Sequence, residues 1–179
     1  MPNQHALLST DERGRSVLRF ERVLSHSRER VWRALTERGE LQGWHPTPFE
    51  MEPRVGGAIR YAPMEGVQDV LPTGRVLAYE PPELLAYTWA EDELRWSLQG
   101  HERGCLLMLE HSFEDRMKAA RDGAGWHLCL IALQSGLDGA PAPKRGHGES
   151  LPDGWEELNG QYQERFGILP EHATPPPPR

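Results

Sequence analysis

The fold turns on Glu29-Arg30-Val31-Trp32-Arg33-Ala34-Leu35-Thr36, then Leu41-Gln42-Gly43-Trp44-His45-Pro46, then Pro53-Arg54-Val55-Gly56-Gly57. Val31, Trp32 and Leu35 share one helical face, so residues 28–36 read as a short amphipathic helix. Ser25-His26-Ser27 supplies hydroxyls that can cap its start, and Gly39 breaks it. A second turn of helix carries Leu41 and Trp44 until Pro46 and Pro48 stop it.

Working outward, Ser16 to Leu24 alternates, with Val17, Arg19, Glu21 and Val23 opposed to Leu18, Phe20, Arg22 and Leu24. That period reads as a strand. Residues 1–14 are polar, close on Asp11-Glu12-Arg13-Gly14, and are expected to be a flexible lead. Beyond the helices the chain reads as strands at short spacing: 49–52, 58–62, 74–80, 84–90, 94–99 and 105–112. Glu91-Asp92-Glu93 and Glu102-Arg103-Gly104 are the expected turns. A long helix follows over 116–138. Sequential strands between helices argue α+β.

Residues 140–152 have linker composition, and 170–179 read as a disordered proline-rich tail. Between them, 153–169 forms an amphipathic extension, with Trp155, Leu158, Tyr162 and Phe166 on one face behind an Asp153 cap. That face can pack back on the domain, close over a cavity as a lid, or join a homodimer.

The net charge of −7 gives no footprint for nucleic acid. The N-terminus lacks the basic and apolar regions of a signal peptide, and no apolar run is long enough to insert in a membrane. Cys105 and Cys129 have no CxxC spacing. A cytoplasmic protein is the expectation.

The long helix carries the chemistry. With Trp126 at zero and about 100° per residue, Cys129, Leu130, Leu133 and Leu137 fall beside it. Ala124, Leu128, Ile131 and Ser135 form a second apolar stripe, and Gly123, His127 and Gln134 lie between the two. Lys118, Arg121, Gly125 and Ala132 take the opposite side. If the middle of that buried face looks into a sheet, it offers small and polar groups flanked by apolar ones. Such a lining suits an apolar ligand with a polar handle. His127 and Gln134 bonding to sheet backbone or water is the alternative.

Other chemistries lack their patterns. His101, Cys105, His111, His127 and Cys129 do not converge: Cys105 and His111 lie roughly 20 Å apart along a strand. His127 and Cys129 diverge by about 200° on the helix. No metal site or cofactor is expected. There is no Gly-x-Ser-x-Gly elbow, and no catalytic residue stands out, although His127 paired with a carboxylate such as Glu110 would suit acid–base work. Tyr87, Trp89 and Trp96 belong either to a cavity or to the convex surface.

The stretches quoted first, together with Gly74-Arg75-Val76-Leu77, Pro81 to Trp89, Cys105 to Phe113 and Gly125-Trp126-His127, resemble the START-like (SRPBCC) superfamily. The resemblance spans about residues 16–138, in the branch named after the activator of a heat-shock chaperone's ATPase. Cys105 departs from it by standing where the family commonly has threonine.

The resemblance implies a helix-grip fold over 15–139. A curved antiparallel sheet would wrap a long C-terminal helix, with two short helices after the first strand. It also implies a small hydrophobic, lipid-like or aromatic ligand held between sheet and helix, for which Trp44, Tyr61, Trp126, His127 and Gln134 are the candidate contacts. A co-chaperone-like protein-interaction module in stress response is a second reading. A cyclase or hydrolase using His127 is a third.

Overall fold

The computed structural model describes residues 5–62, 73–140 and 151–168. The expected Pro-rich tail, nearly all of the linker and the first four residues lie outside the described residues. Alternation from Ser16 produces strand β2, Ser16–Leu24, with Leu18, Phe20 and Leu24 buried on one face. Helix α1, Arg28–Thr36, follows, and its Ser27 cap accepts from the Arg30 N–H. Helix α2, Arg38–Leu41, ends one turn earlier than expected, leaving Trp44 in the loop after it.

The remaining strands are β3 (Phe49–Met51), β4 (Ala58–Tyr61), β5 (Thr73–Glu80), β6 (Leu84–Trp89), β7 (Asp92–His101) and β8 (Gly104–Phe113). A 3-10 turn at Arg116–Lys118 leads into α3, Ala119–Leu137, and α4 spans Trp155–Phe166.

Residues 7–14 are a correction to the expected flexible lead. Leu7–Thr10 forms β1 and pairs antiparallel with β2 along the sheet edge. The Asp11–Gly14 segment is its hairpin turn: Asp11 Oδ1 accepts from the Arg13 and Arg15 N–H groups, and Gly14 sits at φ +81°. The signal was weak because β1 itself is mostly exposed.

The sheet is open and antiparallel, in the order β1-β2-β8-β7-β6-β5-β4-β3. With α3 it makes the helix-grip fold. Gly57 lets the strand approach tightly at one corner, since a Cβ there would lie 2.3 Å from the Glu52 carbonyl oxygen.

Two further corrections fix the interior. The β6–β7 turn is Ala90-Glu91, so Asp92 belongs to β7 on the same face as Leu94, Trp96 and Leu98. Helix α4 starts behind Gly154 at φ +82°, not behind an Asp153 cap. Phe166 O accepts from Arg116 Nη2, while the Tyr162 ring lies over Gly123 further along α3. Helix α4 therefore runs back antiparallel to α3.

Candidate functional site

The concave face is filled with rings. Trp126 projects from α3 onto the sheet, in edge contact with Trp96 at 5.7 Å, Trp89 at 5.8 Å and His45 at 5.6 Å between centroids. Trp44 packs edge-on against His45 at 5.3 Å and Trp96 at 5.4 Å. Phe49 joins Tyr61 to Tyr87 at the other end. The cavity expected between sheet and helix is thus occupied by side chains of the chain itself. Tyr87, Trp89 and Trp96 belong to this inner face.

His45, which no local motif singles out, is fully buried at its centre. The Thr47 N–H donates to its Nδ1 (3.1 Å), so Nε2 carries the hydrogen and donates to the Tyr87 hydroxyl oxygen (3.1 Å). Trp96 Nε1–H donates to the same oxygen at 3.2 Å. Tyr87 thus receives two donors, and its own hydrogen has no acceptor among the described residues. Burial holds this phenol well above the usual tyrosine range. The Thr47 hydroxyl oxygen, also buried, has no hydrogen-bond partner among the described residues. His45 and Tyr87 are 42 residues apart, so only strand register could have exposed this pair.

A second imidazole, His111, accepts from Trp126 Nε1–H at Nδ1 (3.1 Å) and donates from Nε2 to Asp92 Oδ2 (2.9 Å). Burial works against the Asp92 carboxylate. The His111 hydrogen bond, with the charges of Lys118 and Arg15, outweighs that and keeps its carboxyl below the usual range. The expected solvated turn at Glu91–Glu93 is corrected here, because Asp92 points inward. Asp92, His111 and Asp122 place ligand atoms within 4.8 Å of one another. They do not fit a metal as arranged. Both nitrogens of His111 are committed, and Asp92 and Asp122 already face Lys118 (3.8 Å) and Arg121 (2.8 Å).

His127 lies on the other flank of α3, beneath α4. Its Nδ1 meets the Tyr162 hydroxyl at 2.9 Å, and that oxygen accepts from the Ala6 N–H at 3.0 Å. The phenol therefore donates to His127. Burial, then the charges of Arg22 and His5, push the imidazole down to about 4. The Tyr162 ring covers Gly123, where a Cβ would already stand 3.3 Å from it. Glu110 is not its partner. It lies on the other face of β8, 4.0 Å from Arg95.

Gln134 is exposed, a correction to its expected place in the lining. The buried residues of α4, Tyr162 and Phe166, lie against the first half of α3. Among the five candidate contacts, the ring cluster brings together Trp44, Tyr61 and Trp126. His127 sits apart from them and Gln134 in solvent.

Among the described residues, a cleft of about 350 Å³ reaches this cluster. It lies between α1–α2 and the C-terminal half of α3, lined by Ala34, Trp44, Ala132, Leu133 and Leu137, with Glu37 at its rim. The Trp44 indole N–H is held by the Ala34 carbonyl at 2.9 Å. Trp44 is therefore a wall shared by the cleft and the interior. Among the described residues, no helix is long and apolar enough to cross a membrane.

Comparison with solved structures agrees on the architecture. A conserved protein of unknown function from Enterococcus faecalis aligns at TM-score 0.70 and 22% identity, covering 92% of this chain and 91% of its own. CalU16 from Micromonospora echinospora aligns at TM-score 0.68 and 22% identity, covering 93% and 96%. A Mesorhizobium loti protein aligns at TM-score 0.60 and 26% identity, covering 68% and 96%. No curated protein matches the chain. Residues 25–138, from the cap of α1 to the end of α3, match the sequence model of one family. With that match over more than half its length and the helix-grip sheet around Trp126, the chain belongs to the family described as "Activator of Hsp90 ATPase homolog 1-like protein".

Proposed function

We propose that the protein binds a small apolar, ring-bearing molecule at the cleft between α1–α2 and α3. The observation that carries this reading is the position of Trp44. It lines the cleft, beside Glu37 and Glu40 as well as the leucines, and also packs on the interior rings. Small residues at Ala34 and Ala132 leave the cleft open, and Leu133 and Leu137 give it an apolar floor. Trp44 is the aromatic contact at the cleft in this reading, with Trp126 and Tyr61 deeper in the cluster. His127 and Gln134 have no part in it.

The protein-interaction reading is supported by the family's name. Its expected docking face on α4 is turned inward at Tyr162 and Phe166. The outer side of α4, with Glu156, Glu157, Glu164 and Arg165 exposed, is too charged for the apolar core of a homodimer. Acid–base catalysis by His127 is disfavoured because its Nδ1 lone pair is spent on Tyr162.

Native mass spectrometry of the gently purified chain, repeated after denaturation, tests the proposal. Release of a small molecule only on unfolding supports it and identifies the ligand. A clean chain mass, with heavier species made only of whole protein chains, favours the interaction reading.

A further inference from the structure

Two polar groups inside the ring cluster are left with unused capacity, and both flank one imidazole. The Thr47 N–H and the Tyr87 hydroxyl bracket His45 at 3.1 Å on either side. Tyr87 has a hydrogen to give and Thr47 Oγ1 a hydroxyl to pair, and neither finds a partner among the described residues. Buried polar groups are ordinarily satisfied, as His111 is, so such a deficit points to something that completes it.

The side chain between this deficit and the outside is Trp44. Its ring rests on His45 and Trp96, the two residues whose N–H groups converge on Tyr87. It sits in the loop after α2, next to Gly43, and its indole is held to α1 by the single bond to Ala34. A swing of this side chain toward the cleft would vacate the volume of a fused two-ring system beside those donors.

We infer that Trp44 is a gate and that His45, Thr47 and Tyr87 form an inner polar subsite for a fused-ring apolar ligand carrying a hydrogen-bond acceptor oxygen. The ligand's rings replace the indole against His45 and Trp96, and its oxygen takes the Tyr87 hydrogen. This rests on the reading that the cleft admits a small apolar molecule.

The test uses two probes of matched shape, 2-acetylnaphthalene labelled with 13C at its carbonyl and 2-ethylnaphthalene. They are titrated into the full chain, Tyr87→Phe and Trp44→Ala. The carbonyl resonance of the ketone bound to the unmodified chain is expected at higher frequency than in an apolar solvent, as a hydrogen bond from Tyr87 requires. Tyr87→Phe is expected to weaken the ketone about 5-fold relative to the hydrocarbon. Trp44→Ala is expected to speed the association of both probes.

If both probes bind alike, with the bound carbonyl at its apolar-solvent frequency, the cleft reading stands and the Tyr87 subsite is overturned. If Trp44→Ala changes neither probe, the gate is overturned. If neither probe binds the chain or Trp44→Ala, both the subsite and the cleft reading fall. Should Tyr87→Phe fail to fold, the carbonyl shift in the unmodified chain still decides.

Discussion

The two flanks of α3 solve the same problem in opposite ways. Each buries an imidazole against a tyrosine. Under α4, every group finds its complement: the Ala6 N–H gives to Tyr162, which gives to His127. Under the sheet, the Tyr87 oxygen takes two hydrogens and its own is left over, while Thr47 Oγ1 stands idle. A closed chain of donors and acceptors holds segments together. An open one leaves capacity for a molecule from outside. The difference separates architecture from site more sharply than the residue types do, since both flanks use His and Tyr.

The largest expected effect breaks the closed side. Tyr162→Ala removes a fully buried ring over Gly123 and strands both of its hydrogen-bond partners. It should cost about 3–5 kcal/mol in chemical denaturation. A loss below about 1 kcal/mol would show that α4 is only loosely attached.

Acid should act on the same flank. His127 has its folded value pushed down to about 4 from an ordinary 6.5, so the unfolded chain binds the extra proton first. Its contribution is complete above about pH 6.5 and is lost as pH falls toward 4, about 3 kcal/mol in all. Denaturation curves between pH 7.5 and 4 should show that slope, and His127→Gln should flatten it. The charged and titratable neighbours His5, Arg22 and Tyr162 remain in both proteins.

On the sheet side, Trp126→Phe keeps a ring but removes the N–H that fixes the His111 tautomer. A loss of about 1–3 kcal/mol is expected. The freed Nδ1 should also move the ring-nitrogen resonances of His111, which distinguishes a lost hydrogen bond from general loosening. The smallest effect sharpens the comparison. Thr47→Val deletes an oxygen that bonds nothing, so stability should hold or rise by up to about 1 kcal/mol. A loss above that would mean the hydroxyl is satisfied in solution.

Much of the architecture was legible because it is written in local period. Strand β2 and helix α1 have the boundaries that alternation and the Val31–Leu35 face dictate. Strand β1 was not, since an edge strand with one buried neighbour, Ala6, leaves almost no pattern. The site was less legible for a different reason. Helical geometry placed His127 and Gln134 on the middle of a buried face, but could not say what covers it. That face is shared between the sheet and α4, so His127 meets Tyr162 and Gln134 meets water. His45 left no local signature, because its importance comes from Tyr87 and Trp96 on strands far along the chain.

The bond from Ala6 to Tyr162 joins residues 156 positions apart, and it sets an order of assembly. The β1–β2 hairpin closes locally, and the sheet can form once β8 pairs with β2. The Ala6 N–H must wait for the last helix. During synthesis from the N-terminus, a nascent chain would hold its first strand by backbone pairing alone until α4 has emerged. The Ala6–Tyr162–His127 relay is then a late contact, made only once α4 has emerged.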